Sequence, residues 1–324
     1  MNANQYTIKE LGVEATEFLQ RKKQRNETTF INYKSSINYF IYYLENIADV
    51  TVINAENKEK IVESFQGALF EGFTYNDGVT ERVVQLKASG VNTNIRRVKT
   101  FLNSLGLPVA VIPLKTARPK YKGLELEEIE LLLSECFNYW KNEEIAVRNS
   151  TLIKFLFNTA LRINEALNIK ETDVFKDHNF FYVNIHEKGK AKGELTTIAI
   201  SQATYNSLMD YIKIKKVPSN YLFSTTRASA DGKAKALTRQ NFNKYVKALA
   251  YYVDVKHNTN ISKTVENNSS HVFRHSRALY LLKVKNIDVT EVKEILRHSD
   301  INSTQIYVKA KDETINQIRT SYDI

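Results

Sequence analysis

The stretch SHVFRHSRALYLL, residues 270–282, decides the reading of this chain. In a helix capped by Ser270, His271 and Arg274 stand three residues apart and share one face. A helix dipole disfavours cations at the amino terminus unless an anion joins them, and helix amino termini are natural phosphate sites. The plainer alternative is that both residues simply decorate a helix end. Downstream, EILRHSDINSTQIYVK (294–309) places His298 ahead of Tyr307, with Asn302 or Ser303 able to cap a short helix carrying the tyrosine. Upstream, NTALRINEALNI (158–169) sets Arg162 after a small apolar turn, where it is equally readable as a surface arginine paired with Glu165. Between these lie two alternating, β-branched and aromatic runs, FFYVNIH (180–186) and LTTIAI (195–200). The run EKGKAKGE (187–194) joins them, and Gly189 and Gly193 suit a hairpin turn.

Around this core the rest is helical. Glu125 to Leu133, Ser150 to Asn168, Gln202 to Lys215, Thr238 to Ala250 and the segment from His271 onward have helical spacing. The polar run HNTNISKTVENNSS (257–270) reads as a mobile loop. The first half reads as all-helical. ETTFINYKSSINYFIYYLENIA (27–48), with Thr28 or Thr29 as cap, is one helix. VNTNIRRVKTFLNSLG (91–106), started by Asn92 or Thr93 and ended by Gly106, is another. Its outer face carries Arg96, Arg97 and Lys99, which alone reads as a solvated face. Three of the four prolines (Pro108, Pro113, Pro119) fall within LPVAVIPLKTARPKYKG, so this stretch is an extended linker. The expected class is mostly α with a small antiparallel β-sheet, in two domains, 1–107 and 124–324, joined by 108–123.

Composition limits the partners. The chain has 324 residues, 46 Lys+Arg against 36 Asp+Glu and a net charge of +10, with a pI near 9.3. Up to Arg118 there are 15 basic and 12 acidic residues, and beyond it 31 and 24, so both halves are net positive. A polyanion can engage both. With 18 tyrosines and 16 phenylalanines the chain has core material enough to exclude disorder. Cys136, the only cysteine, excludes a disulfide scaffold. No run reaches the ~18 apolar residues of a membrane span. The first residues lack the apolar segment of a signal peptide, and a cytoplasmic location is expected. No histidine and cysteine cluster suggests a metal.

Taken in order, ALRINEAL, HEKGKAKGELTTIAI, HVFRHSRALYLL and LRHSDINSTQIY resemble the signature of the tyrosine recombinases, the phage integrase, Xer and Cre group. That signature is a TGLRxSEL-like helix, a hairpin lysine, an H-x-x-R-H helix and an LGHxxxxTTxxY ending. The resemblance covers residues from about 124 to 310, and the first half looks like the family's helical core-binding domain. It implies a site-specific DNA recombinase or integrase of a phage or mobile element, acting without a cofactor. Tyr307 would attack the scissile phosphate to form a 3′-phosphotyrosyl bond. Arg162 and Arg274 would clamp the non-bridging oxygens, and His298 would add a hydrogen bond. His271 would assist deprotonation of Tyr307. Lys188, with Lys190 as the competing assignment, would protonate the leaving 5′-oxygen.

The resemblance also implies double-stranded DNA as partner, a dimer to tetramer on it, and accessory DNA-bending proteins. Arg96, Arg97 and Lys99 are candidate DNA contacts. So is Arg297, which stands where the family usually has the glycine of LGH. Arg277 replaces a commoner apolar residue. The alternative function is a DNA-binding regulator, such as a phage repressor, that keeps the fold without strand exchange.

Overall fold

The structure, a computed structural model, describes residues 5–116, 123–187 and 194–297. The chain divides into two units, Met1–Pro119 and Lys120–Ile324.

In the first unit a two-residue strand β1 (Tyr6–Thr7) leads into α1 (Ile8–Arg25), followed by α2 (Glu27–Asn46), β2 (Val52–Ile53) and α3 (Lys58–Glu71). A hairpin of β3 (Phe73–Asn76) and β4 (Glu81–Val84) then precedes α4 (Ala88–Ser104). Asn26, not a threonine, caps α2, its Oδ1 accepting from Thr29 N at 3.0 Å. Helix α4 begins before Asn92 because the Lys87 carbonyl accepts from Val91 N at 3.0 Å. Asn92 is used elsewhere. Its side chain donates to Leu114 O at 2.9 Å and accepts from Leu114 N at 2.8 Å. The proline-rich stretch is thereby laid along α4, and Val109 and Val111 join the buried core with Phe18, Phe40, Phe65 and Phe101. Gly106, at φ 75°, ends α4 in the left-handed region.

The β3–β4 hairpin corrects the all-helical expectation for this half. Asp77 Oδ1 accepts from Val79 N at 3.1 Å and from Thr80 N at 2.8 Å, and Gly78 sits at φ 82°. An Asp-Gly pair flanked by β-formers is a hairpin signal, and it overrides the surrounding helical composition.

The second unit opens on Gly123. A Cβ there would stand 2.8 Å from Ser276 Cα, so only glycine allows this approach. Leu124 N then donates to Ser276 Oγ at 2.7 Å. Helices α5 (Leu126–Tyr139), α6 (Glu143–Thr159) and the short α7 (Ile163–Leu167) follow. An antiparallel sheet is next, in the order β5 (Val174–Asp177), β6 (Phe180–Ile185), β7 (Thr196–Ile200). Helix α8 (Gln202–Ile214), the hairpin β8 (Ser224–Ala228) and β9 (Ala234–Ala236), α9 (Arg239–His257), α10 (Ile261–Asn268), α11 (His271–Lys283) and α12 (Val289–Leu296) complete it. The core gathers Leu152, Phe155, Phe223, Phe242, Val246 and Phe273, all buried.

Three local expectations change here. The helical run 150–168 is broken by Ala160, which adopts φ 52° and ψ 25° and ends α6. The polar run 257–270 holds a helix, because Asp254 accepts from Thr259 Oγ1 at 2.6 Å, Ile261 N at 2.7 Å and Ser262 N at 3.0 Å. Ile261 and Val265, four apart, are fully buried and anchor that helix. Ser270 does not cap α11. Its backbone is helical and its side chain makes no capping bond.

Among the described residues no helix is long and apolar enough to cross a membrane, and no cluster of His, Cys, Asp and Glu fits a metal ion.

Candidate active site

Arg162 is presented by a corner. Leu161 and Ile163 on either side are buried, at 1% and 2% exposure, while the Arg162 side chain keeps 30%. The left-handed turn at Ala160 redirects the chain so that Arg162 becomes the residue before α7. Glu165, one turn on and buried, fixes it twice. One carboxylate oxygen accepts from Arg162 N at 2.9 Å and the other from Arg162 Nη1 at 2.8 Å. The surface-pair reading of Arg162 is therefore also present, with Glu165 acting as its anchor.

Arg274 lies on the inner side of α11 at 4% exposure. Its Nη1 donates to Ala160 O at 2.5 Å and its Nη2 to Leu296 O. Both acceptors border left-handed corners, since Arg297 follows Leu296 at φ 52°. One guanidinium thus ties the turn that presents Arg162 to the end of α12, which leads to His298.

His271 stands at the first position of α11 and opens to solvent. The protein packed around its ring pushes its pKa below 6.5, and Arg274, Arg239 and Arg162 push the same way against Glu165. The imidazole is therefore neutral at physiological pH and able to accept a proton. Arg239, at the start of α9, had no signal in the sequence, because only the tertiary fold brings it near α11.

Arg297 turns inward, its side chain 15% exposed, with Nη2 3.5 Å from Glu165 Oε2 and Nε 4.0 Å from Glu187 Oε1. Lys188, Lys190, His298 and Tyr307 lie outside the described residues. Their neighbours do not: Glu187 precedes Lys188, Arg297 precedes His298, and the two side chains meet beside Glu165 and Arg162.

In the first unit the basic trio divides. Arg96 is exposed, Arg97 Nη1 donates to Ser36 Oγ at 3.1 Å, and Lys99 Nζ donates to Val111 O at 3.4 Å. Arg277 stacks over Phe157 and Tyr280, each ring centroid 5.5 Å away. An arginine serves there as a partly apolar packing group.

Comparison with known proteins gives the family. The model of the phage integrase family matches residues 122–314. A tyrosine recombinase XerD of Rickettsia bellii is 29% identical over 242 residues, covering 68% of this chain and 73% of that protein. A tyrosine recombinase XerC of the same species is 24% identical over 328 residues, covering 97% and 96%. Among solved structures, the Tn1549 transposon integrase in complex with transposon right end DNA superposes with a TM-score of 0.67 at 17% identity. That superposition covers 96% of this chain and 100% of the other. With the family model spanning more than half its length, the chain belongs to the phage integrase family, the tyrosine recombinases, which are DNA strand-transferring enzymes.

Proposed function

We propose that this protein is a site-specific recombinase of a phage or mobile element that cleaves and rejoins duplex DNA through a 3′-phosphotyrosyl intermediate. The observation that carries the reading is the convergence of Arg162 from one stretch with His271 and Arg274 from another, with the residues preceding Lys188 and His298 beside them.

Tyr307 Oη attacks the scissile phosphorus while His271 Nε2 or Nδ1 takes the phenolic proton. The bond from phosphorus to the 5′-oxygen breaks, and Lys188 gives that oxygen a proton; Lys190 is the competing donor. Religation is the reverse, with a 5′-hydroxyl attacking the phosphotyrosine, so the bond energy is conserved. The extra charge on the non-bridging oxygens in the transition state falls to Arg162, Arg274 and His298. One such donor commonly contributes ~3 kcal/mol. A guanidinium carries five N–H bonds in a rigid plane, so anchoring Arg274 on two carbonyls orients the rest of its fork. Arg96, Arg97, Lys99 and the net positive charge supply phosphate contacts of the salt-sensitive kind. The active assembly is a tetramer on two sites, built from dimers on inverted half-sites, with DNA-bending proteins as helpers.

The test is strand exchange between two differently labelled duplexes carrying the DNA that flanks the gene. Recombinant strands are expected. Tight, salt-sensitive binding with no exchanged strand favours a repressor-like regulator on the same fold.

A further inference from the structure

Arg297 occupies a backbone position that suits glycine. At φ 52° an L side chain is disfavoured, yet an arginine is present, directly after the last residue of α12. Its guanidinium is directed inward, between two carboxylates of low exposure, Glu165 at 4% and Glu187 at 17%. Glu165 is already committed to Arg162 through both oxygens. Glu187, two residues past the end of β6, is the second acid that Arg297 meets. Its Oε2 accepts from Thr196 Oγ1 at 3.1 Å. Arg297 Nη2 also lies 3.5 Å from Glu165 Oε2, so Arg297 stands between Glu187 and the carboxylate that holds Arg162. A carboxylate left without this cation would add negative charge to the cluster that holds Arg162 and repel the incoming phosphate.

We propose that Arg297 is a positioning residue that neutralises Glu187 and shares Glu165, and so keeps Arg162 available to the scissile phosphate. The inference rests on the recombinase reading of the site. It assigns to Arg297 an internal role in place of a direct DNA contact. It also gives a reason for an arginine with a strained backbone at this corner: the charge it brings meets the carboxylates of Glu165 and Glu187, which a glycine would not.

The experiment is a double-mutant cycle on the full-length protein with nicked duplexes from the DNA flanking the gene, read as single-turnover cleavage at saturating DNA. Arg297→Gly is expected to slow cleavage about tenfold, with the Kd for DNA within about twofold of wild type. Because glycine suits the backbone there, folding is not the obstacle, and thermal melting is run alongside. Arg297→Lys is expected to recover most of the rate. The decisive variant is Arg297→Gly combined with Glu187→Gln, which should return cleavage toward wild type because the surplus charge is gone. Cleavage by Arg297→Gly at the wild-type rate overturns the proposal, as does a loss that Glu187→Gln leaves unchanged. A loss that appears only as weaker DNA binding overturns it too, and makes Arg297 a phosphate contact. Absence of an adduct with the wild-type protein is a different failure: it removes the recombinase reading itself, and the proposal with it.

Discussion

Arg274 Nη1 donates to the carbonyl of Ala160 at 2.5 Å, across more than one hundred residues of chain. The same guanidinium reaches Leu296 O, so one buried side chain fastens two left-handed corners, one leading to Arg162 and the other to His298. A clamp of this kind acts on stability and on chemistry together. Arg274→Ala leaves two carbonyls without a charged donor, and the expected loss of stability is about 2–4 kcal/mol. Strand cleavage is expected to disappear. Urea unfolding followed by far-UV circular dichroism checks the first part. A variant that unfolds at the wild-type midpoint would show that the clamp holds nothing.

His271 supplies a prediction about protonation. Partial burial of its ring comes first, then the charges of Arg274, Arg239 and Arg162, and together they lower its pKa below 6.5. The imidazole should therefore titrate on the acid side of 6.5 and be neutral above it. Arg239→Gln removes one of the lowering charges and should move the titration to higher pH. The ring-proton shift of His271 followed by NMR across the pH range reports this directly. A midpoint at or above 6.5 in the wild-type protein contradicts the arrangement.

Much of this site was legible in the sequence because its pieces are local. The spacing of His271 and Arg274 and the alternation of residues 180–186 and 195–200 mark their elements without reference to the rest of the chain. Capping was less legible. Asn26 caps α2 in place of Thr28 or Thr29, because several polar residues near a helix start compete for the same amides, and Ser270 makes no capping bond at α11. The hairpin at 73–84 is marked in the sequence by its Asp77-Gly78 pair alone, and the helical pattern on either side outweighs that signal. The meeting of Glu187 with Arg297 depends on tertiary approach over more than one hundred residues, and no periodicity encodes that.

A third prediction concerns acid. Glu135 on α5 accepts from Lys256 Nζ at 2.7 Å, from Asn138 Nδ2 at 2.9 Å and pairs with His257 Nε2 at 2.8 Å. Led by the Lys256 bond, these partners hold its pKa down to about 2 from an ordinary 4.5. A depressed carboxylate contributes stability that is full above its unfolded value and is lost as pH falls through the folded one. The contribution should thus decline between pH 4.5 and about 2. Glu135→Gln should be less stable than wild type at neutral pH, with the difference shrinking across that window. Chemical denaturation at several pH values tests this, and a difference that stays constant down to pH 2 refutes the pairing.

The central claim is that Tyr307 is the nucleophile served by the Arg162, Arg274 and His271 cluster. The most direct measurement incubates wild type and Tyr307→Phe with labelled nicked duplexes from the DNA flanking the gene. Products are run on native gels for binding and on denaturing gels for covalent adducts. The account predicts equal binding by both proteins and a denaturant-resistant adduct with wild type alone. Equal binding with no adduct from either protein, or an adduct that persists in Tyr307→Phe, would contradict it.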